Sequence, residues 1–251
     1  RKAGLGLLSN VKGDAKPVAV IEDTAVDYRE LPQYISDFTA MMNSYGQKSV
    51  YYAHAGAGEL HLRPILDLKD PKDRSDFRKI AEETADLVKK YKGALSGEHG
   101  DGRVRAEFIP KMIGKHNYNL LKEIKTLWDP TNIFNPGKIV DALPMDEDFR
   151  YESGQKNLDL DTKFEFSKAG GFIQTAEKCN GSGDCRKLAI AGGTMCPSYM
   201  ATRNEKDTTR ARANLMREMI GRSSDKSNAF DQAEIKEILE LCLSCKGCAS
   251  E

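Results

Sequence analysis

The first 178 residues contain no cysteine, and no histidine follows His116. All six cysteines, Cys179, Cys185, Cys196, Cys242, Cys245 and Cys248, therefore lie beyond all four histidines, His54, His61, His99 and His116. That segregation predicts two domains with different site chemistries. Net charge is also missing: 38 Lys and Arg balance 38 Asp and Glu. A strongly basic surface is thereby excluded, so nucleic acid is not an expected partner. No apolar run approaches the roughly 18–20 residues needed to cross a bilayer. The apolar stretch in the opening RKAGLGLLSNVKG is too short for a signal peptide. No Met opens the chain, which leads us to expect a piece of a longer protein. Internal repeats and low-complexity tracts are absent. What is present is ordinary for a globular protein: 39% hydrophobic and 30% charged residues over 251 positions, enough for one large domain or two modest ones.

The cysteine-free part reads as mixed α and β. PVAVIE at 17–22 is a β-type run. Leu31, Tyr34, Ile35, Phe38, Met41, Met42 and Tyr45 recur at helical spacing and Gly46 stops them. SVYYAH (49–54) and ELHLRPIL (59–66) read as strands joined by the tight AGAG at 55–58. A helix over 73–92 buries Phe77, Ile80, Ala81, Thr84, Leu87, Val88 and Tyr91, with Asp73 or Ser75 as its cap and Gly93 as its end. Another over 116–128 carries Leu120, Leu121, Ile124, Leu127 and Trp128 and stops at Asp129-Pro130. This order is that of a split β-α-β sandwich with an antiparallel sheet, an α+β fold. Residues 141–167 are polar and aperiodic, a linker or surface wrap, and helical patterns return at 205–221 and 231–243. The expected division is a domain at 1–140, a linker at 141–170 and a small, mainly helical domain at 171–251, incomplete at its C-terminal end.

His54 and His61 bracket HAGAGELH, so a hairpin over 49–66 brings both imidazoles near its turn, where Gly56 and Gly58 allow close approach. A second cluster, SGEHGDGR, sets Glu98 and His99 between glycines. Two imidazoles and one carboxylate make a three-point grip on a divalent metal, with positions left open for substrate. The alternative is a set of surface or core histidines with satisfied hydrogen bonds, the reading kept for His116.

HAGAGELHLRP, SGEHGDGRVRAEFIPKMIG and DPTNIFNPGKI, in that order, resemble the C-terminal substrate (cap) domain of FAD-linked oxidases, over roughly residues 1–140. That family includes D-lactate, glycolate and D-2-hydroxyglutarate dehydrogenases. The resemblance implies that His54, His61 and Glu98 hold a divalent metal, zinc or a similar ion. It implies that His99 takes the proton of the substrate hydroxyl while hydride passes to flavin, and that FAD is bound mainly by a preceding domain. Arg63 stands where the family often has Asn, and an arginine there suits a dicarboxylate substrate. Arg1 matches a substrate-carboxylate arginine. Arg103 and Arg105 face either the pocket or solvent. DPTNIFNPGKI is locally a helix stop and turn; the resemblance adds that it closes the cap domain and places Asn135 near the cofactor.

CLSCKGC sets Cys242, Cys245 and Cys248 in a C-x2-C-x2-C run, a signature of iron–sulfur ligation whose bacterial form continues x3-C-P, the last cysteine serving the other cluster. The chain ends just before the position of that fourth cysteine. Upstream, Cys179, Ser182, Cys185 and Cys196-Pro197 occupy the same frame. By the crossing rule, Cys196 joins Cys242, Cys245 and Cys248 around one cluster, and Cys179 and Cys185 serve a second in which Ser182 replaces a cysteine. A structural zinc site or metal-free thiols are alternatives. MCPSYMATRNEKDTTRARANLMREM resembles the iron–sulfur segment that follows the oxidase module in two-part dehydrogenases, with Arg210 and Arg212 read as solvating the helix start. The expectation is part of an FAD-dependent dehydrogenase of a D-2-hydroxy acid (2-hydroxyglutarate, lactate or glycolate type), cytoplasmic, with peripheral contact at the inner face of the membrane. Its expected cofactors are FAD, 4Fe-4S clusters and a divalent metal, and its electron acceptor a quinone or carrier protein. An electron-transfer or zinc-binding module without its own catalytic site is the alternative.

Overall fold

In a computed structural model that describes residues 7–8, 10–179, 181–222 and 230–250, the chain divides into two units. One spans Asp14–Gln155; the other comprises residues 156–251 and the segment before Asp14. Arg1 lies outside the described residues.

The first unit is built around one central strand. Four strands, β1 (Lys16–Pro17), β2 (Ile21–Ala25), β3 (Ser49–His54) and β4 (Glu59–Leu66), form an antiparallel sheet in which β4 pairs with each of the others. Because side chains alternate along a strand, ELHLRPIL sorts itself. Leu60, Leu62 and Leu66 enter the core, while Glu59, His61 and Arg63 share the opposite face. Helices α1 (Leu31–Ser44) and α2 (Pro71–Lys90) cover the apolar face with Leu31, Tyr34, Phe38, Met42, Phe77, Ile80, Ala81, Ala85 and Val88, all buried. α2 starts earlier than its apolar period suggests. Asp70, not Asp73 or Ser75, is the cap, accepting from Lys72 N and Asp73 N, and Pro71 fills the first helical position where no N–H is needed. The β3–β4 turn requires glycine at Gly58: φ is +73°, and a Cβ there would lie 1.9 Å from Val26 O.

β2 carries a bulge between Glu22 and Thr24. Asp23 is the extra residue, with φ +84°, so Glu22 stays on the His61 side while Thr24 faces the core and accepts from Tyr34 Oη at 3.0 Å. On the free side of β2, Ala25 and Ala94 exchange backbone hydrogen bonds of 2.9 and 2.8 Å, and Gly97 N donates to Asp23 O at 2.7 Å. The loop after α2 is thereby laid along the sheet. α3 (Lys115–Trp128) has no buried residue, and its apolar stripe ends in Leu127 and Trp128, both more than three-quarters exposed. Residues 141–155 contain neither helix nor strand, yet they hold to this unit. Met145 is buried, its N–H donates to Glu107, Phe149 meets Phe77 edge to face, and Arg74 donates to Tyr151 O.

The second unit is assembled from short helices: α4 (Phe172–Ala176), α5 (Pro197–Thr202), α6 (Thr209–Arg222) and α7 (Ala233–Leu239). Ile173, Ile220 and Ile235 form its small core, flanked by Leu158, Leu160, Phe172, Met216 and Met219. Among the described residues no helix is long and apolar enough to cross a membrane.

Candidate functional site

The strand register assembles the histidine site. On β4, His61 is directly opposite Tyr52 of β3 on one side and Glu22 of β2 on the other, and Glu59 is opposite His54. The fully buried His61 ring stacks on Tyr52 with centroids 4.7 Å apart. His61 Nδ1 lies 3.5 Å from Glu22 Oε1, and Nε2 faces Glu59 at 3.3 Å and Glu98 at 3.8 Å. His54 Nε2 is 3.7 Å from Glu98 Oε1. One ligand atom from each of His54, Glu59, His61 and Glu98 falls within 4.8 Å of every other. His99 Nε2 stands 3.3 Å from Glu98 Oε1, at the edge of this group.

Two residues here escaped the sequence reading although one carried a signal. Glu59 shares the period-2 face of His61, so the alternation in ELHLRP announces it. Asp23 gives no such signal, because its position depends on the bulge. Its buried carboxylate accepts from Ser96 Oγ (2.5 Å), Glu98 N (3.0 Å) and His99 N (2.8 Å), and so fixes the backbone from which Glu98 and His99 project. Burial raises the Asp23 carboxyl, but these hydrogen bonds outweigh it and bring it down to about 2. Glu59 goes the other way: burial, contact with Asp23 and the charge of Glu98 push it up to about 7. Arg105 fastens the same loop, donating to Gly100 O at 2.6 Å and to Glu22 O.

This donor set fits a divalent cation. Two imidazoles and two carboxyl groups converge on one space, and Glu59 Oε1 is buried there beside His61 Nε2 (3.3 Å) without a hydrogen bond of its own among the described residues. Glu22 on the far nitrogen of His61 is the carboxylate–imidazole arrangement that orients a ligating histidine.

Arginines sort differently. Arg63 is on the His61 face, but its guanidinium already pairs with Glu22 Oε2 at 2.5 Å. Arg103 donates to Glu147 O (3.0 Å) and Asp148 Oδ2 (3.1 Å). Asn135 is exposed with φ +52°, in a turn that Asp129 holds by accepting from Ile133 N and Phe134 N.

In the second unit, all six cysteines are free thiols. Cys196, Cys242, Cys245 and Cys248 line one cavity of about 450 Å³. The CLSCKGC run curls through left-handed Ser244 (φ +52°) and Lys246 (φ +66°). Gly247 permits its approach to Thr194, whose Oγ1 would be 2.9 Å from an added Cβ. Cys179, Ser182 and Cys185 line a neighbouring cavity of about 400 Å³ together with Cys248. Four thiols around one space are the donor set of a 4Fe-4S cluster. Arg212 is buried rather than solvated and donates to Cys196 Sγ at 3.2 Å; Arg210 pairs with Glu205 at the surface. Burial raises the Cys196 thiol, and hydrogen bonds from Arg212 and the Tyr199 and Ser198 backbone more than reverse this, leaving it below its usual range.

Comparison with known proteins agrees with both halves. Residues 1–139 match the family described as FAD linked oxidases, C-terminal domain, and residues 178–251 match the 4Fe-4S dicluster domain. The chain belongs to the FAD linked oxidase family, C-terminal domain. Within this family it is 33% identical over its whole length to a D-2-hydroxyglutarate dehydrogenase of Pseudomonas putida, and 32% identical to one of Escherichia coli. Over 53% of the chain it is 32% identical to a D-lactate dehydrogenase of Archaeoglobus fulgidus. The chain spans about 28% of the length of the two D-2-hydroxyglutarate dehydrogenases. The oxidase-family match ends at residue 139 and the dicluster match begins at 178, so the histidine and cysteine sites fall in different matches.

Proposed function

We propose that this chain is the substrate-handling and electron-relay part of an FAD-dependent dehydrogenase that oxidises a D-2-hydroxy acid to the 2-oxo acid. The observation that carries the reading is the convergence of His54, Glu59, His61 and Glu98, with His99 beside them. The names of its relatives, D-2-hydroxyglutarate and D-lactate dehydrogenase, support the substrate class. His54, His61 and Glu98, with Glu59, would hold the metal, which as a Lewis acid lowers the pKa of a chelated hydroxyl. His99 would receive the hydroxyl proton, and its Nε2 lies 3.3 Å from Glu98 Oε1, which places the ring beside the metal ligands. Asp23 keeps both residues in place by holding their N–H groups. Glu22 orients His61, and Tyr52 excludes water from one face of its ring.

Arg63, on the same face, is the proposed grip for a second carboxylate, which competes with Glu22 for its guanidinium. Arg103 and Arg1 complete the proposed set of substrate arginines. FAD is assigned to the whole protein on the family match, with Asn135 the residue here proposed to lie beside it. Cys196, Cys242, Cys245 and Cys248 would hold one 4Fe-4S cluster, which transfers electrons singly; Cys179 and Cys185, with Ser182, would contribute to a second. The proposed acceptor is a quinone or carrier protein, in the cytoplasm.

The test is anaerobic flavin reduction in the intact parent protein by a panel of 2-hydroxy acids: the D and L forms of 2-hydroxyglutarate and lactate, and achiral glycolate. Rapid bleaching by a D-acid, abolished in His99→Ala with metal and flavin retained, is expected. Bleaching by none of the panel would overturn the reading and leave an electron-transfer module.

A further inference from the structure

We infer that Arg212 is a positioning residue that raises the reduction potential of the cluster ligated by Cys196. This rests on the cluster-ligand reading proposed above. Arg212 lies in the first turn of α6 and is only 7% exposed. Its Nε donates to Ile238 O at 3.1 Å, which fixes the guanidinium plane, and Nη1 donates to Cys196 Sγ at 3.2 Å. Nη2 is buried with no hydrogen-bond partner among the described residues. The side chain lines the same cavity as Cys196, Cys242, Cys245 and Cys248. Among the described residues no carboxylate forms an ion pair with it, in contrast to Arg210, which Glu205 neutralises at 3.1 Å.

A buried, always-charged guanidinium without a carboxylate is strongly unfavourable unless something anionic faces it. The four-thiol cavity supplies that partner, since iron–sulfur clusters are held by thiolates. One-electron reduction adds one negative charge to the cluster and needs no proton. A nearby cation and an N–H donated to a ligating sulfur favour the more negative form, so Arg212 shifts the equilibrium toward reduction. The Ile238 anchor aims this effect at one sulfur, that of Cys196, the ligand contributed from outside the CLSCKGC run.

The experiment uses the full chain, loaded anaerobically with iron and sulfide, and compares it with Arg212→Lys and Arg212→Gln. Iron and sulfide content are measured first, and midpoint potentials then follow from EPR-monitored titration. The inference predicts unchanged cluster content and lower potentials in both variants, furthest in Arg212→Gln, which loses charge as well as the fork. Equal potentials in cluster-bearing variants would overturn it. If Arg212→Gln holds no cluster, Arg212→Lys decides by the same criterion; loss of the cluster in both would make Arg212 structural and overturn the tuning role. Absence of an iron–sulfur signal from the unaltered chain would instead remove the ligand reading itself.

Discussion

At the scale of single residues, the most consequential finding is that a buried aspartate in a strand bulge governs two residues 75 and 76 positions away. Asp23→Asn replaces one carboxylate oxygen by an NH2 that must face either the Glu98 N–H, which Oδ1 accepts, or the Ser96 hydroxyl and His99 N–H, which Oδ2 accepts. We expect divalent-metal affinity to fall about 10–100-fold, the usual cost of losing an outer partner of a metal site; calorimetric Mn2+ titration checks this, and unchanged affinity would contradict the assignment. The sign of the pH effect is also fixed. A carboxyl lowered from 3.8 to about 2 contributes stability that is complete above 3.8 and is lost as pH falls toward 2. In acid unfolding of the metal-free chain, the wild type should lose on the order of 2 kcal/mol across that interval that Asp23→Asn does not.

At the scale of elements, β4 does two jobs with one alternating sequence. Truncating its core side, Leu62→Ala, should cost about 2–5 kcal/mol in denaturant unfolding. α3 makes the opposite prediction. Its terminal Trp128 is 79% exposed, so Trp128→Ser should change the stability of this chain by less than about 0.5 kcal/mol. Most of this architecture was legible. The strands at 49–54 and 59–66, the helix at 31–45 and the turn at 55–58 follow from period and glycine placement, as does the meeting of His54 with His61. Asp23 was not legible, because a bulge depends on pairing between distant segments and leaves no local pattern. Nor was the burial of Arg212: an arginine-rich helix start reads as a solvated surface until the fold shows which arginine turns inward. The cap of α2 was misplaced for a simpler reason, since Pro71 extends the helix before its apolar period begins.

At the scale of the whole molecule, two site chemistries occupy two units of one chain: nitrogen and oxygen donors in one, sulfur donors in the other. His54, Glu59, His61 and Glu98 are proposed to hold one divalent ion. Mn2+, which favours oxygen ligands over thiolates, reports on this site and not on the cysteines. The decisive measurement is Mn2+ binding followed by pulsed EPR, in the full chain and in a His54→Ala, His61→Ala double variant. One Mn2+ per chain with imidazole-nitrogen coupling, lost in the double variant, is expected. Equal binding by both proteins, or Mn2+ without nitrogen coupling, would contradict it.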